Sequence, residues 1–225
     1  MKKSKRAKKS NSWKIKQHRD FFFKKSKTLG YRSRASFKLI ELNKKYNFIK
    51  KNSNLLDLGC CPGGWSQVAS QIITKGEILS IDINEMSPIK NVKFLKADIL
   101  EKETKSQIIK HFKSNLDIII SDMAADTTGN KSLDAIRTNQ LCVDVIHLAK
   151  NILKPKGVLV SKLFMGEDFI EAKNIAKSIF KTVSFFKPES SRKESKETYL
   201  HCEGLKSLYF IIIVYKFIWV QLKSL

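Results

Sequence analysis

The chain is poor in cysteine, in acids and in long apolar runs. Its four cysteines are Cys60, Cys61, Cys142 and Cys202. They form no C-x-x-C pair and no Cys/His cluster at zinc spacing, so no metal site is expected. A reducing cytosol suits such usage, and a cytoplasmic location is expected. No secretory apolar core stands near Met1. The apolar stretch Leu208–Val220, LYFIIIVYKFIWV, is broken by Lys216. It falls short of the ~20 residues that span a bilayer, so an extra strand or a segment packed on the domain is expected rather than a stable membrane association. No internal repeat and no second domain are visible, and 225 residues suit a single α/β domain, expected to be monomeric.

The shortage of acids leaves a formal net charge of +22. Such an excess implies a polyanionic partner, nucleic acid before an anionic membrane. Fifteen of the 43 Lys and Arg lie between Met1 and Lys38, against one acid, Asp20. On composition alone this is a solvated tail, with its first ten or so residues disordered. Trp13, Ile15 and the run Phe21–Phe22–Phe23 argue for more, because aromatics among lysines suit phosphate contact and base stacking. Residues 1–35 are therefore read as a basic, partly disordered RNA-binding arm. A transit peptide is the competing reading, but the arm is Lys-rich and lacks an apolar face.

Behind the arm, apolar spacing predicts a helix over Ser36–Tyr46, with Leu39, Leu42 and Tyr46 recurring at three and four residues. Strands and helices then alternate. Strands are predicted over 54–58, 77–83, 92–95, 116–120, 158–163, 182–186 and 198–202. Helices are predicted over 65–74, 102–112, 138–153 and 169–180, with Lys154-Pro155-Lys156-Gly157 closing the third. Continuous apolar strands between helices imply a Rossmann-like, seven-stranded, mostly parallel sheet with helices on both faces. Ligands bind such sheets at the carboxyl ends of the strands.

The loop after the first strand lacks the G-x-G-x-x-G of dinucleotide folds and reads D-x-G-x-x-P-G-G from Asp57 to Gly64. An acid before the turn repels a pyrophosphate and suits a cationic cofactor end, such as that of S-adenosylmethionine. Gly59 and Gly63 shape that loop. Asp82 ends the second strand, where an acid can accept from ribose hydroxyls. Asp98 follows the third strand, within reach of an adenine edge. Cys61-Pro62 resembles the nucleophile of cytosine-C5 methyltransferases, but it lies in the cofactor loop, where a small turn residue is the plainer reading. The fourth strand ends in Ser121-Asp122-Met123-Ala124, not the Asp/Asn-Pro-Pro-aromatic element of base-amino methyltransferases. Lys162 interrupts a buried strand, and burial lowers a lysine's pKa and can make it a base.

Lys38 in SRASFKL, Asp122 in SDMA, Lys162 in SKLF and Glu197 in SRKESKETY together resemble the Lys-Asp-Lys-Glu tetrad of the FtsJ-like ribose 2′-O-methyltransferases. DLGCCPGGWSQ, SDMAADTTGNKSLD and KLFMG also resemble the family's bacterial large-subunit rRNA enzymes. The likeness runs from Trp13 to Gly204. It implies S-adenosylmethionine as cofactor, with Gly63, Trp65, Asp82, Asp98 and Asp122 lining its site. It implies Lys162 as proton acceptor, with Lys38, Asp122 and Glu197 around it. The implied substrate is a uridine in the A-loop of 23S rRNA, within the assembled large ribosomal subunit. Two departures stand out. Cys60-Cys61 occupy positions where the family often has two small residues. Residues 36–204 form the expected methyltransferase domain, and 205–225 is an apolar extension to which no family role carries over. Competing readings are the same chemistry on another RNA such as tRNA, a non-catalytic ribosome assembly factor, and a basic membrane-associated protein.

Overall fold

The computed structural model describes residues 20–113, 116–166 and 168–206. Trp13, Ile15, the disorder expected for the first residues of the arm and the apolar run 208–220 lie outside these. In chain order the elements are α1 (Phe21–Thr28), α2 (Ser36–Tyr46), β1 (Leu55–Leu58), α3 (Gly64–Ile72), β2 (Ile78–Asp82), β3 (Lys93–Lys96), α4 (Lys102–Phe112), β4 (Leu116–Ser121), α5 (Lys131–Ile152), β5 (Leu153–Phe164), α6 (Phe169–Ile179), β6 (Phe180–Phe186) and β7 (Glu197–Leu205). The sheet runs β3-β2-β1-β4-β5-β7-β6. The pairings from β3 to β5 are parallel, and β7 is inserted antiparallel to both β5 and β6.

Period-two alternation in the strands divides the core into two layers. Leu56, Leu58, Leu79, Ile81 and Leu159 face α4, α5 and α6. Leu55, Ile78, Ile118, Ile120 and Val160 face α2 and α3. Leu39 and Leu42 on α2 are fully buried in the second layer. Burying each stabilises the fold by roughly 1.5–3 kcal/mol, which ties α2, and Lys38 with it, to the sheet.

Three elements differ from expectation. Residues 21–28, read as part of an arm, form α1. Asp20 caps this helix by accepting from the Phe23 amide, and Phe22 packs on Phe37 of α2 at 5.4 Å. Helix α5 starts at Lys131 rather than Thr138, capped by Asn130, which accepts from the Ser132 and Leu133 amides. Its first turns carry exposed Leu133 and Ile136, so they show no buried stripe to read. Strand β5 takes in Lys154–Gly157, expected as a helix stop, through an irregularity where its register on β4 shifts.

The switch point lies between β1 and β4, where the chain, having wound out to β3, crosses back. Gly59 after β1 has φ +70°, and a Cβ there would press on Met123 after β4. Only glycine lets these two loops close on each other.

Candidate functional site

Four side chains from four elements meet at the carboxyl end of the sheet. Lys38 comes from α2, Asp122 from the loop after β4, Lys162 from β5 and Glu197 from the start of β7. The Lys38 Nζ lies 2.7 Å from Glu197 Oε1 and 3.9 Å from Asp122 Oδ2. The Lys162 Nζ lies 3.2 Å from both Asp122 Oδ1 and Glu197 Oε2. Two ammonium and two carboxylate groups thus alternate in a charge-balanced ring, which is how buried charges are tolerated.

Sequence reasoning missed two partners of this ring and one residue that holds the end of β5. Tyr199 is fully buried and donates its hydroxyl to Asp122 at 2.6 Å. Lys38 sits 5.6 Å over its ring and Trp65 packs 5.5 Å from it. Strand alternation was the available signal, since Tyr199 stands two residues after Glu197 and so shares its face. Ser191 donates to Glu197 Oε1 at 2.8 Å. Asn139 on α5 clips the end of β5, accepting from the Phe164 amide at 2.8 Å and donating to its carbonyl at 3.1 Å. Nothing in a single sequence marks these two.

Burial by itself predicts a depressed Lys162 amine, and the structure reverses the sign. Burial pushes the amine down, but the Asp122 and Glu197 carboxylates outweigh it and hold it above the ordinary lysine value. The expected help from Lys38 is smaller than the pull of these two anions. Burial pushes Glu197 up, yet Lys38 and Lys162 bring it down to about 2. Burial, then Asp122 and Glu197, raise the Tyr199 phenol well above its usual value, so it serves as a donor.

Two cavities meet at this ring, and their charges are opposite. One, of about 570 Å³, opens at the switch point and is lined by Gly59, Asp82, Asp98 and Asp122. Asp126 and Asp144 add two more acids, and Arg137 is its one basic lining residue. The other, of about 840 Å³, takes in Lys38 and Glu197 from the ring. Arg34, Lys131, Arg192 and Lys196 line it further, against Asp168 and Glu194. Helix α5 divides the two, presenting Arg137, Gln140 and Asp144 to the acidic cavity and Ser132, Ala135 and Asn139 to the basic one.

Of the residues expected at the cofactor, Gly59, Asp82, Asp98 and Asp122 line the acidic cavity. Asp82 accepts from the amides of Cys61 and Asn84, each at 2.8 Å, and Asp98 from that of Leu100 at 2.9 Å. Asp57, Gly63 and Trp65 stand behind the wall. Asp57 is 1% exposed and accepts a 2.5 Å hydrogen bond from Ser66, which also meets Ser80 at 2.9 Å. Burial pushes its carboxyl up to about 7, with Asp122 and Asp82 adding to the rise and Ser66 opposing it. Asp57 therefore braces the loop against α3 and does not face the cavity with a free anion. Gly63 has φ +103°, and a Cβ there would meet Met86 at 2.8 Å and Ile89 at 2.9 Å. The Trp65 indole donates to the Ala35 carbonyl at 2.8 Å, tying α3 to the residue that precedes α2. Cys61 does line the cavity, but burial and then Asp82 raise its thiol, the reverse of an activated nucleophile.

The segment ahead of α2 is fastened to both sides. Arg32 donates to the Ser87 and Pro88 carbonyls at 2.6 Å and to that of Pro62 in the glycine loop at 3.3 Å. Asp20 pairs with Arg34 and lies 3.8 Å from Arg192 on the basic side. Among the described residues no helix is long and apolar enough to cross a membrane.

Comparison with known proteins agrees with this geometry. A family profile described as FtsJ-like methyltransferase matches residues 31–205. Ribosomal RNA large subunit methyltransferase E of Pelagibacter ubique (strain HTCC1062) is 41% identical over 197 residues, 88% of this chain and 97% of the relative. The protein of the same name from Rickettsia akari (strain Hartford) is 43% identical over 202 residues, 87% of this chain and 89% of the relative. Among solved structures, a Plasmodium falciparum chain described as a ribosomal RNA methyltransferase matches with TM-score 0.69 and 33% identity, over 78% of this chain and 98% of that one. The fibrillarin pre-rRNA processing protein of Methanococcus jannaschii shares the fold alone, with TM-score 0.52 and 19% identity over 71% of this chain and 70% of that one.

Proposed function

The chain belongs to the FtsJ-like methyltransferase family, and on that premise we propose that it methylates the 2′-hydroxyl of a uridine in the A-loop of 23S rRNA, within the large ribosomal subunit, using S-adenosylmethionine. The observation that carries this reading is the pair of oppositely charged cavities meeting at one four-residue ring. The names of the bacterial relatives support ribosomal RNA as the substrate.

The acidic cavity fits the proposed cofactor. Its volume lies within the range of small-molecule sites, roughly 300–1,000 Å³. Its acids favour a cationic ligand, and the missing Cβ of Gly59 keeps the two loops close enough to wall it. Asp82 and Asp98 would hold the nucleoside part, since each carboxylate keeps acceptor capacity beyond the amides it already binds. Asp122 would face the amino-acid end. When bound, S-adenosylmethionine supplies an electrophilic methyl group.

The ring's own work is to place a ribose hydroxyl and remove its proton. Lys162 is the proton acceptor. Its amine rests protonated between Asp122 and Glu197, so it must first release that proton to solvent before it can take the hydroxyl's proton. Tyr199 donating to Asp122, and Ser191 and Lys38 donating to Glu197, each absorb part of the anionic pull that holds that proton. Alignment supplies much of the remaining acceleration, as it does for oriented reactants generally. The basic cavity would carry the RNA backbone, through phosphate contacts that fix register.

The test uses the purified chain, methyl-labelled S-adenosylmethionine and large subunits or naked rRNA, followed by nucleoside mass spectrometry. The expected product is one 2′-O-methyluridine in the A-loop, formed on subunits. A label on a base, or no transfer to either substrate, overturns the proposal.

A further inference from the structure

The basic cavity has a wall that its charge does not explain. Ile136 on α5 and Met165 just after β5 both line it, and each is 47% exposed. They lie 29 residues apart in the chain, yet the fold brings both to the cavity that contains Lys38 and Glu197. Ala35 and Ala135, both small, line it as well. Lys131, Arg192 and Lys196 add exposed cations to the same cavity.

Large apolar side chains held at a basic rim next to a catalytic ring need an occupant that is both flat and anionic at its margin. An unpaired nucleotide meets that description. Its base presents an apolar face, and its flanking phosphates meet the cations. A ribose hydroxyl can reach the ring only if the nucleotide leaves its stack, and the freed base must then be received somewhere. Resting on the methyltransferase reading above, we infer that Ile136 and Met165 form a slot gripping the base of the nucleotide whose ribose is methylated. Arg192 and Lys196 on one rim and Lys131 on the other hold the adjoining phosphates. The slot explains why α5 carries an exposed isoleucine at position 136. It also makes α5 a partition with a polar face toward the cofactor and an apolar corner toward the base.

The test has two arms on the full chain. In the first, Ile136→Ser and Met165→Ser are assayed on large subunits from cells that lack the modification. The expected result is a loss of about tenfold in kcat/KM for each, the equivalent of ~1.4 kcal/mol. Cofactor affinity by calorimetry and melting temperature should stay at wild-type values, and Leu at either position should restore most of the rate. Serine variants within twofold of wild type overturn the slot. In the second arm, p-benzoylphenylalanine replaces Ile136 and is photolysed on large subunits. A crosslink to the methylated nucleotide or its neighbour supports the slot. A crosslink only to ribosomal protein, or none, overturns it. This arm needs no methyl transfer. The slot can therefore fail while the wild-type chain methylates ribose, and the activity can fail while the crosslink forms.

Discussion

The Lys162 amine lies 3.2 Å from Glu197, although the two residues occupy different rungs of the β5–β7 ladder. Lys162 is paired with Tyr199, and Glu197 with Phe164. The diagonal works because β7 runs antiparallel to β5. Its first residue thereby reaches the carboxyl end of the parallel strands, where the chemistry of such sheets gathers. The same reversal puts Tyr199 beside Lys162, within 2.6 Å of Asp122. One strand inserted backwards supplies both an acid and a phenol to the ring.

The pH dependence of transfer should follow Glu197. Its carboxylate is one of the two anions that raise Lys162, so Glu197→Gln should lower the Lys162 pKa. With Lys162 as the proposed base, which must lose its proton to act, the rate should climb as its amine deprotonates. The rising limb of kcat against pH should therefore move to lower pH in Glu197→Gln, while Lys162→Met loses transfer at every pH. A limb that stays in place would show that another group titrates.

Tyr199→Phe removes the hydroxyl that Asp122 accepts and nothing else. A hydrogen bond to a charged group contributes roughly 1.5–3 kcal/mol, so kcat should fall by about 10- to 100-fold. Cofactor affinity should change little, because Tyr199 does not line the acidic cavity. Single-turnover rates beside calorimetric titration separate the two.

Asp57→Asn should change stability in a pH-dependent way. Burial raises the Asp57 carboxyl to about 7, above its unfolded value near 4. Stability linked to such a group is fully present below the unfolded value and is lost as pH rises through about 7. Asparagine cannot ionise and can still accept from Ser66. The variant should therefore gain on wild type between pH 5 and pH 8, by on the order of a few kcal/mol. Urea unfolding at the two pH values is the check, and a constant difference would refute the buried-charge account.

Asp20→Ala removes the cap of α1 and the partner of Arg34 and Arg192 together. Loss of an N-cap costs about 1 kcal/mol, too little to unfold the domain. Amide exchange over 21–28 should rise sharply while the rest of the chain keeps its protection. Unchanged exchange over 21–28 would mean that α1 is held by other contacts.

Much of this was readable from the chain. Continuous apolar strands, 3.6-period helices and the glycine loop point to an α/β sheet, because they depend on neighbours in sequence. Lys38, Asp122, Lys162 and Glu197 could be named together only through the family resemblance that their four motifs carry. The acids Asp82 and Asp98 could be placed because strand ends in such sheets share one edge. What one residue does to another across the fold was not readable. Lys162 looked like a lowered amine because its burial shows in a strand pattern, whereas the two carboxylates beside it arrive from distant segments. Asp57 looked like a cavity acid, and only packing against α3 turned it inward to Ser66. Residues 20–35 read as the end of a basic, partly disordered arm, and their anchoring did not show, since Asp20 meets Arg34 and Arg192 only when the chain has folded. The two opposed cavities likewise belong to no single segment. Local periodicity determined the elements, and long-range electrostatics and packing decided which charges face the two cavities and which are held against each other.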